Sequence, residues 1–389
     1  MYKKKLLKKL RDYLKKQQKG GTILGKGRDG LVVEPAKLCS SNMIPDNKVS
    51  KLIDITEADS YEIENFIKEY KLGGIFRKYD KKNQYFLPGI DLCRITSQDA
   101  DISQSLFEDI QNGYEDYDYI NDKVELLNIV MKKGQDFKKI TTTLSNKDLF
   151  KSIYYLIGGA HKCVFELNIL LCDIKELNLL YSSDDNSKDI YPVFIDFSQD
   201  FVIRTIKEFM DFLSRYGRNT NYIWPDEVNL LSIMMNDNNY KKQILKGLKT
   251  NNSDYSSSEG KKKFNDIINY IENRISLPKG ELFIYEKIMV YLIGMSYRRC
   301  LNEKQKNSKS VNKLLNAMTN LNIIERPTFK QVKDYIDKLY KFNNSRESVL
   351  INKKSLIGKF VRKIGNFKNK KTLSKDLKSF KISSIRPKF

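Results

Sequence analysis

The chain has 389 residues, enough to bury a sizeable core, and a formal net charge of +22 from 70 Lys and Arg against 48 Asp and Glu. Five cysteines without C-x-x-C spacing and a single histidine make a zinc site a poor reading and fit a reducing compartment. No apolar run approaches the roughly eighteen residues of a membrane span, and there is no signal-peptide pattern.

The charge is concentrated at the two ends. Residues 1–19 carry a net +8 and residues 346–389 a net +12, which leaves a nearly neutral body. Leu6, Leu7, Leu10 and Leu14 share one helical face, as do Ile357, Phe360, Val361, Ile364 and Phe367. A basic amphipathic helix can lie on an anionic membrane surface or follow nucleic-acid phosphates, each basic residue contributing about 1 kcal/mol near anionic lipid. Packing of these faces on the body, or tails that stay solvated, are the plainer alternatives. Residues 91–122 carry a net −8 and read as an acidic insertion on which a tail could dock.

The first element in chain order is glycine-marked. Gly25-Lys-Gly27-Arg-Asp-Gly30-Leu-Val32 fits G-x-G-x-x-G-x-V, whose glycines let backbone N–H groups approach phosphates. The run after it, Leu31-Val-Val-Glu34, reads as a strand, which favours a hairpin over the strand-to-helix turn of a dinucleotide fold. The overlapping Gly20-Gly-Thr-Ile-Leu-Gly25-Lys26 is followed by Gly27, so it lacks the hydroxyl a Walker A loop needs. Val49, Lys51 and Ile53 alternate as in a strand, with Lys48 as a rival to Lys51. A helix is expected over 57–72, where Ile63, Phe66, Ile67 and Tyr70 recur at helical spacing, and it carries Glu69 and Glu62.

Leu126 to Gly134 reads as a strand running into a glycine-marked hinge, with Met131, Lys132 and Lys133 at its end. A second helix is expected from 148 to about 165, with His161 in a structural role. Asn168–Cys172, Leu179–Tyr181 and Pro192–Ile195 read as short strands that place Asp173 and Asp196 at strand ends. In Cys172-Asp-Ile-Lys-Glu-Leu-Asn178, a carboxylate, an ammonium and a carboxamide stand at offsets 0, +2 and +5, with Asp196-Phe197-Ser198 downstream. Those are the groups phosphoryl transfer needs: one to orient a hydroxyl, one to neutralise the moving phosphoryl group, two to hold magnesium. Residues 251–263 are polar, low in complexity and read as a mobile loop.

Together these motifs resemble a eukaryotic-type serine/threonine protein kinase from about Ile23 to about Leu339. The Asn-, Lys- and Ile-rich composition is similar to that of divergent kinases of large DNA viruses. The resemblance implies an α+β, bilobal fold with a small β-rich N-lobe over 20–134, interrupted by the acidic insertion at 91–122. A larger, mainly helical C-lobe follows over 135–345, with a polar insertion at about 240–280. It implies ATP and Mg2+ as cofactors and a Ser/Thr hydroxyl of a protein substrate as acceptor. By the same resemblance, Asp173 corresponds to the catalytic base, Lys175 to the γ-phosphate contact, and Asn178 and Asp196 to the metal ligands. Gly25, Gly27 and Gly30 correspond to the phosphate cover, Val32 to the adenine cap, and Lys51, paired with Glu69, to the lysine of the α/β-phosphates. Met131 corresponds to the gatekeeper, and Lys132 and Lys133 to the backbone that holds adenine. Pro225 and Glu227 match an Ala-Pro-Glu signal and Arg326-Pro327 an Arg-Pro signal, so a buried Arg326–Glu227 salt bridge is expected.

Three departures stand against this. Leu171 and Cys172 replace the family's His-Arg, which implies activity without activation-loop phosphorylation. Ser198 replaces a glycine. Met289 replaces an aspartate that braces the catalytic loop. They favour a pseudokinase scaffold as the alternative, whereas the retained Asp173, Lys175, Asn178 and Asp196 favour an enzyme. A nucleic-acid-binding protein lacks support from any zinc knuckle or helix-turn-helix pattern. A small-molecule kinase is opposed by Lys175. The expected location is cytoplasmic, with virion association if the chain is viral.

Overall fold

The structure is a computed structural model. It describes residues 22–27, 30–34, 36, 47–55, 58, 60–96, 125–183, 190–197, 202–205, 207–209, 211–212, 225, 228, 249–250, 253–254, 258–275, 277 and 279–340. The chain divides into one unit, Met1–Val349, and a second, Leu350–Phe389, which holds no described residue. The basic ends, Ser198 and Glu227 therefore lie outside the described residues.

The architecture is α+β. Five antiparallel strands form the first sheet: β1 (Thr22–Gly27), β2 (Gly30–Glu34), β3 (Lys48–Asp54), β4 (Asp91–Thr96) and β5 (Glu125–Lys132), in the order β1-β2-β3-β5-β4. The register aligns Val32, Lys51 and Ile129 in one row, so these side chains share a face. Helix α1 (Ser60–Tyr79) lays Ile63, Phe66 and Tyr70 against Ile53, Ile55, Leu127 and Ile129 on that same face. The opposite face is also buried, with Leu31, Val33, Ser50, Leu52 and Val130 all shielded. That explains the nearly unbroken apolar run of β5, which a one-sided sheet would have broken by alternation.

Several sequence expectations are corrected here. The acidic stretch begins as β4, because Leu92 and Ile95 pair with Ile129 and Leu126 and the local charge does not matter to the ladder. Helix α1 runs to Tyr79 and not to 72, because Leu72 and the fully buried Phe76 extend its apolar stripe past the Gly73-Gly74 pair. Cys93 is disulfide-bonded, and Cys163, Cys172 and Cys300 are free buried thiols.

Asp80 ends α1 and turns the chain, its carboxylate accepting from the N–H groups of Gln84, Tyr85 and Phe86 at 3.0, 2.6 and 3.0 Å. The loop then joins the second half of the molecule: Phe194 N–H donates to the Tyr85 carbonyl at 2.9 Å, and Leu87 N–H to the Phe194 carbonyl at 2.9 Å.

That second half is mainly helical. Helix α2 (Phe137–Thr141) is capped by Asp136, and α3 (Asn146–His161) by Ser145, whose hydroxyl accepts from Asp148 N–H at 3.1 Å. The stretch expected as one helix to 165 becomes a π-helical turn at Lys162–Glu166. Short strands β6 (Gln135–Asp136), β8 (Leu179–Ser183) and β9 (Ile190–Phe194) form one sheet, and β7 (Leu170–Leu171) pairs with β10 (Val202–Ile203). The polar stretch after residue 248 is not all loop. A small hairpin, β11 (Lys249–Thr250) and β12 (Ser253–Asp254), precedes α4 (Ser258–Ile275), whose inward Ile267, Ile268 and Ile271 supply the stripe that the lysine run hid. At the centre lies α5 (Glu281–Cys300), buried on nearly every side. It is followed by α6 (Glu303–Lys306), α7 (Lys309–Met318) and α8 (Phe329–Tyr340), which packs on α3. His161 stacks near Phe165 at 5.1 Å between ring centres, and partial burial lowers its pKa. Among the described residues, no helix is long and apolar enough to cross a membrane.

Candidate functional site

Two clusters of polar side chains carry the chemistry. The first grows out of β7. Leu171, Cys172 and Ile174 are buried and anchor the loop, so Asp173 and Lys175 are turned the other way. Asp173 Oδ2 accepts from Lys175 Nζ at 2.8 Å and from Asn178 Nδ2 at 2.7 Å. Asn178 Nδ2 also reaches the Asp173 carbonyl at 2.9 Å, and the short 3₁₀ turn Glu176–Asn178 is closed by Asn178 N–H on the Lys175 carbonyl at 2.9 Å. The other carboxylate oxygen, Asp173 Oδ1, is buried and has no hydrogen-bond partner among the described residues. A carboxylate oxygen is a strong acceptor, so a buried one without a partner calls for an explanation.

The second cluster joins three elements. Lys51 on β3 meets Glu69 on α1 at 3.1 Å and Asp196, just past β9, at 3.6 Å. Burial raises the Glu69 carboxyl to about 7; Lys51 opposes that shift and Asp196 adds to it. Asp196 sits in the left-handed region at φ 60°, a conformation Asp tolerates better than most residues. Phe197 fixes it there: buried, it stacks on Phe76 of α1 at 4.3 Å, and Phe76 in turn meets Phe86 at 4.6 Å.

The two clusters meet where β8 and β9 pair. Leu179 faces Phe194 in register, and Ile195 N–H donates to the Asn178 carbonyl at 3.1 Å. Asn178 lies one residue before Leu179 and Asp196 two residues after Phe194, so both leave the same end of the paired strands.

The remaining sequence candidates line the first sheet. Gly25 faces Val32 and Gly27 faces Gly30, so the glycine segment is a β-hairpin. That arrangement is neither the strand-to-helix turn of a dinucleotide fold nor a Walker A loop. A Cβ at Gly30 would lie 2.3 Å from the Leu52 carbonyl oxygen, which reserves the position for glycine. Val32 shares its row with Lys51. Met131 pairs with Val49 and packs on the apolar cluster under α1. Lys133 is engaged at both its backbone N–H and its side chain. Its N–H donates to the Asn47 carbonyl at 2.9 Å and its ammonium pairs with Glu34, so that N–H is already committed. Strand alternation turns the Lys132 backbone groups to the other edge, beyond the start of β4. Lys48 faces Lys132 and leaves Lys51 with Glu69, while the Glu62 side chain lies outside the described residues.

Arg326 is fully buried and donates to the carbonyls of Lys287 at 2.9 Å and Asn320 at 2.9 Å, over the ring of Tyr291. The expected partner, Glu227, lies outside the described residues. Met289, in the position of the absent brace, is fully buried within α5. Sequence reasoning missed three contributors: Phe76, Asp80 and the Glu176–Arg299 ion pair at 3.6 Å. Phe76 alone had a local signal, its continuation of the α1 stripe.

Among the described residues, no group of three or more His, Cys, Asp and Glu side chains could hold a metal by itself. Compared with known proteins, the chain matches no family model and no curated protein.

Proposed function

We propose that this protein is an ATP- and magnesium-dependent protein kinase of bilobal, kinase-like fold, which transfers the γ-phosphate to Ser/Thr hydroxyls. The observation that carries the reading is Asp173: one carboxylate oxygen is held by Lys175 and Asn178, and the other has no hydrogen-bond partner among the described residues. That is the posture of a base waiting for a hydroxyl proton.

In this reading the substrate hydroxyl donates to Asp173 Oδ1 and is aimed at the γ-phosphorus. The new O–P bond forms as the bond to the β,γ-bridging oxygen breaks, ADP leaves, and the hydroxyl proton passes to Asp173. Lys175 neutralises charge on the moving phosphoryl group. Lys51, kept in place by Glu69, takes the α/β-phosphates, and the hairpin Gly25–Gly30 covers them. Positioning and charge compensation supply most of the acceleration in such chemistry.

A magnesium site fits the donor set. Asn178 has spent its amide nitrogen on Asp173, which leaves its carbonyl oxygen, and Asp196 offers a partly exposed carboxylate. One carboxylate and one amide oxygen, completed by phosphate and water oxygens, suit magnesium, which is bound by few protein ligands. Bound there, it would neutralise phosphate charge.

Leu171 and Cys172 are buried and apolar, so no guanidinium precedes Asp173 to bind a phosphorylated loop. The enzyme accordingly works without that modification. The test is transfer of labelled γ-phosphate to a general basic protein substrate with and without magnesium. Magnesium-dependent label on Ser or Thr supports the reading. Nucleotide binding with no transfer supports the pseudokinase alternative.

A further inference from the structure

The catalytic loop needs a brace, and the residue at the expected position, Met289, offers no hydrogen bond. Helix α5 reaches the loop elsewhere. Met289, Leu292, Ser296 and Arg299 are spaced three, four and three residues apart, so they form one stripe along the helix. That stripe meets the loop: α5 packs on both β7 and the Glu176–Asn178 turn. Ser296 Oγ lies 3.5 Å from the Ile174 carbonyl, but its single proton is better used on the Leu292 carbonyl at 2.9 Å. Arg299, ten residues and roughly 15 Å along the helix from Met289, does more.

Its guanidinium lies 3.6 Å from Glu176 Oε1, with side-chain exposures of 25% and 21%. Glu176 Oε2 is buried and has no hydrogen-bond partner among the described residues. A carboxylate with one oxygen buried in this way is favoured by a nearby cation. Glu176 also sits, with Leu177, between the two that matter: Lys175 and Asn178 both bond Asp173 Oδ2. Its inward turn leaves Leu177 pointing out, 75% exposed.

We propose that Arg299 is a positioning residue for the reaction: by holding Glu176 inward, it fixes the turn that aims Lys175 and Asn178 at Asp173. The catalytic part rests on the protein-kinase reading above. The brace itself does not, and the test reads the two separately.

The test compares the wild type with Arg299→Ala, Glu176→Gln, Arg299→Lys and the charge swap Glu176→Arg/Arg299→Glu. The readouts are phosphate-transfer kinetics and hydrogen exchange of the amides from Ile174 to Asn178. Arg299→Ala should lower kcat by about 10–100-fold, the scale of a small misplacement. KM for ATP should stay within about twofold, because the nucleotide contacts are made elsewhere. Exchange at the Asn178 amide should quicken. Arg299→Lys should keep most of the rate, and the swap should recover part of what each single change loses, a non-additive pattern expected of contacting residues. If the two single changes slow the rate independently, with no recovery in the swap and no change in exchange, the proposal is wrong. A wild type without transfer removes the kinase reading alone. Faster exchange in Arg299→Ala would then still support the brace, and unchanged exchange would overturn it.

Discussion

Phe76 links the packing of α1 to the geometry of Asp196, and Phe76→Leu tests that link. The ring is fully buried, stacks at 4.3 Å on Phe197 and meets Phe86 at a tilt, 4.6 Å between ring centres. Leucine keeps the site apolar but removes two aromatic pairs, each contributing about 0.5–1.5 kcal/mol beyond its buried area. A loss of about 1–3 kcal/mol follows, or a fall in Tm of about 2–10 °C. The second effect is local. Asp196 holds a left-handed backbone, which costs up to about 1–2 kcal/mol and is supported in part by the packing of Phe197. With the pin loosened, Asp196 should spend most of its time outside the productive arrangement. The transfer rate per folded molecule should then drop about tenfold, the equivalent of about 1.4 kcal/mol. Phe150→Leu is the control: Phe150 is equally buried but stacks on Tyr340 at 5.3 Å, away from the site. Thermal unfolding gives the first quantity, and initial rates at a temperature where every variant is folded give the second. Equal rates in the two variants despite matched losses of Tm would refute the coupling of Phe76 to Asp196.

Three further outcomes are expected. The folded protein keeps a proton on Glu69 up to about pH 7, while the unfolded chain releases it near 4.5. The Glu69 contribution is therefore fully present below pH 4.5 and is lost as pH rises through 7. The difference in Tm between wild type and Glu69→Gln should change across that window, and a constant difference from pH 5 to 8 would contradict it. Gly134→Ala should lower stability by about 1–3 kcal/mol in denaturant melts, because the new Cβ would lie 2.6 Å from Leu180 Cδ1 and 2.8 Å from Leu180 Cβ. An unchanged midpoint would show that Leu180 can give way. Removing residues 346–389, which carry a net +12, should weaken binding to heparin and to anionic vesicles and flatten its salt dependence. Identical binding by the truncated and full chains across a salt series would rule that role out.

The legible parts of this chain were the local ones. Asp173, Lys175 and Asn178 lie within six residues, close enough in the chain for one loop to make the two bonds to Asp173 Oδ2. Strand alternation pointed to Lys51 over Lys48, whereas Glu69 was chosen over Glu62 by the kinase resemblance and not by periodicity. Lys133 was read from its place in the hinge, and only the register with Asn47 reveals that its N–H is committed. Arg299 and Glu176 are 123 residues apart, and no spacing rule connects a helix terminus to a distant turn. Charge density misled twice. It hid the strand β4 within the acidic stretch and the isoleucine stripe of α4 beneath a lysine run. The disulfide at Cys93 carried no motif at all.

The measurement that bears most directly on the site is single-turnover transfer of γ-phosphate from Mg-ATP by wild type and by Asp173→Ala, alongside nucleotide affinity for both. Loss of the open carboxylate oxygen should reduce transfer by about 10²–10⁴-fold, the range for a positioned general base, and leave affinity within a few fold. Equal transfer by the two proteins would contradict the assignment of Asp173.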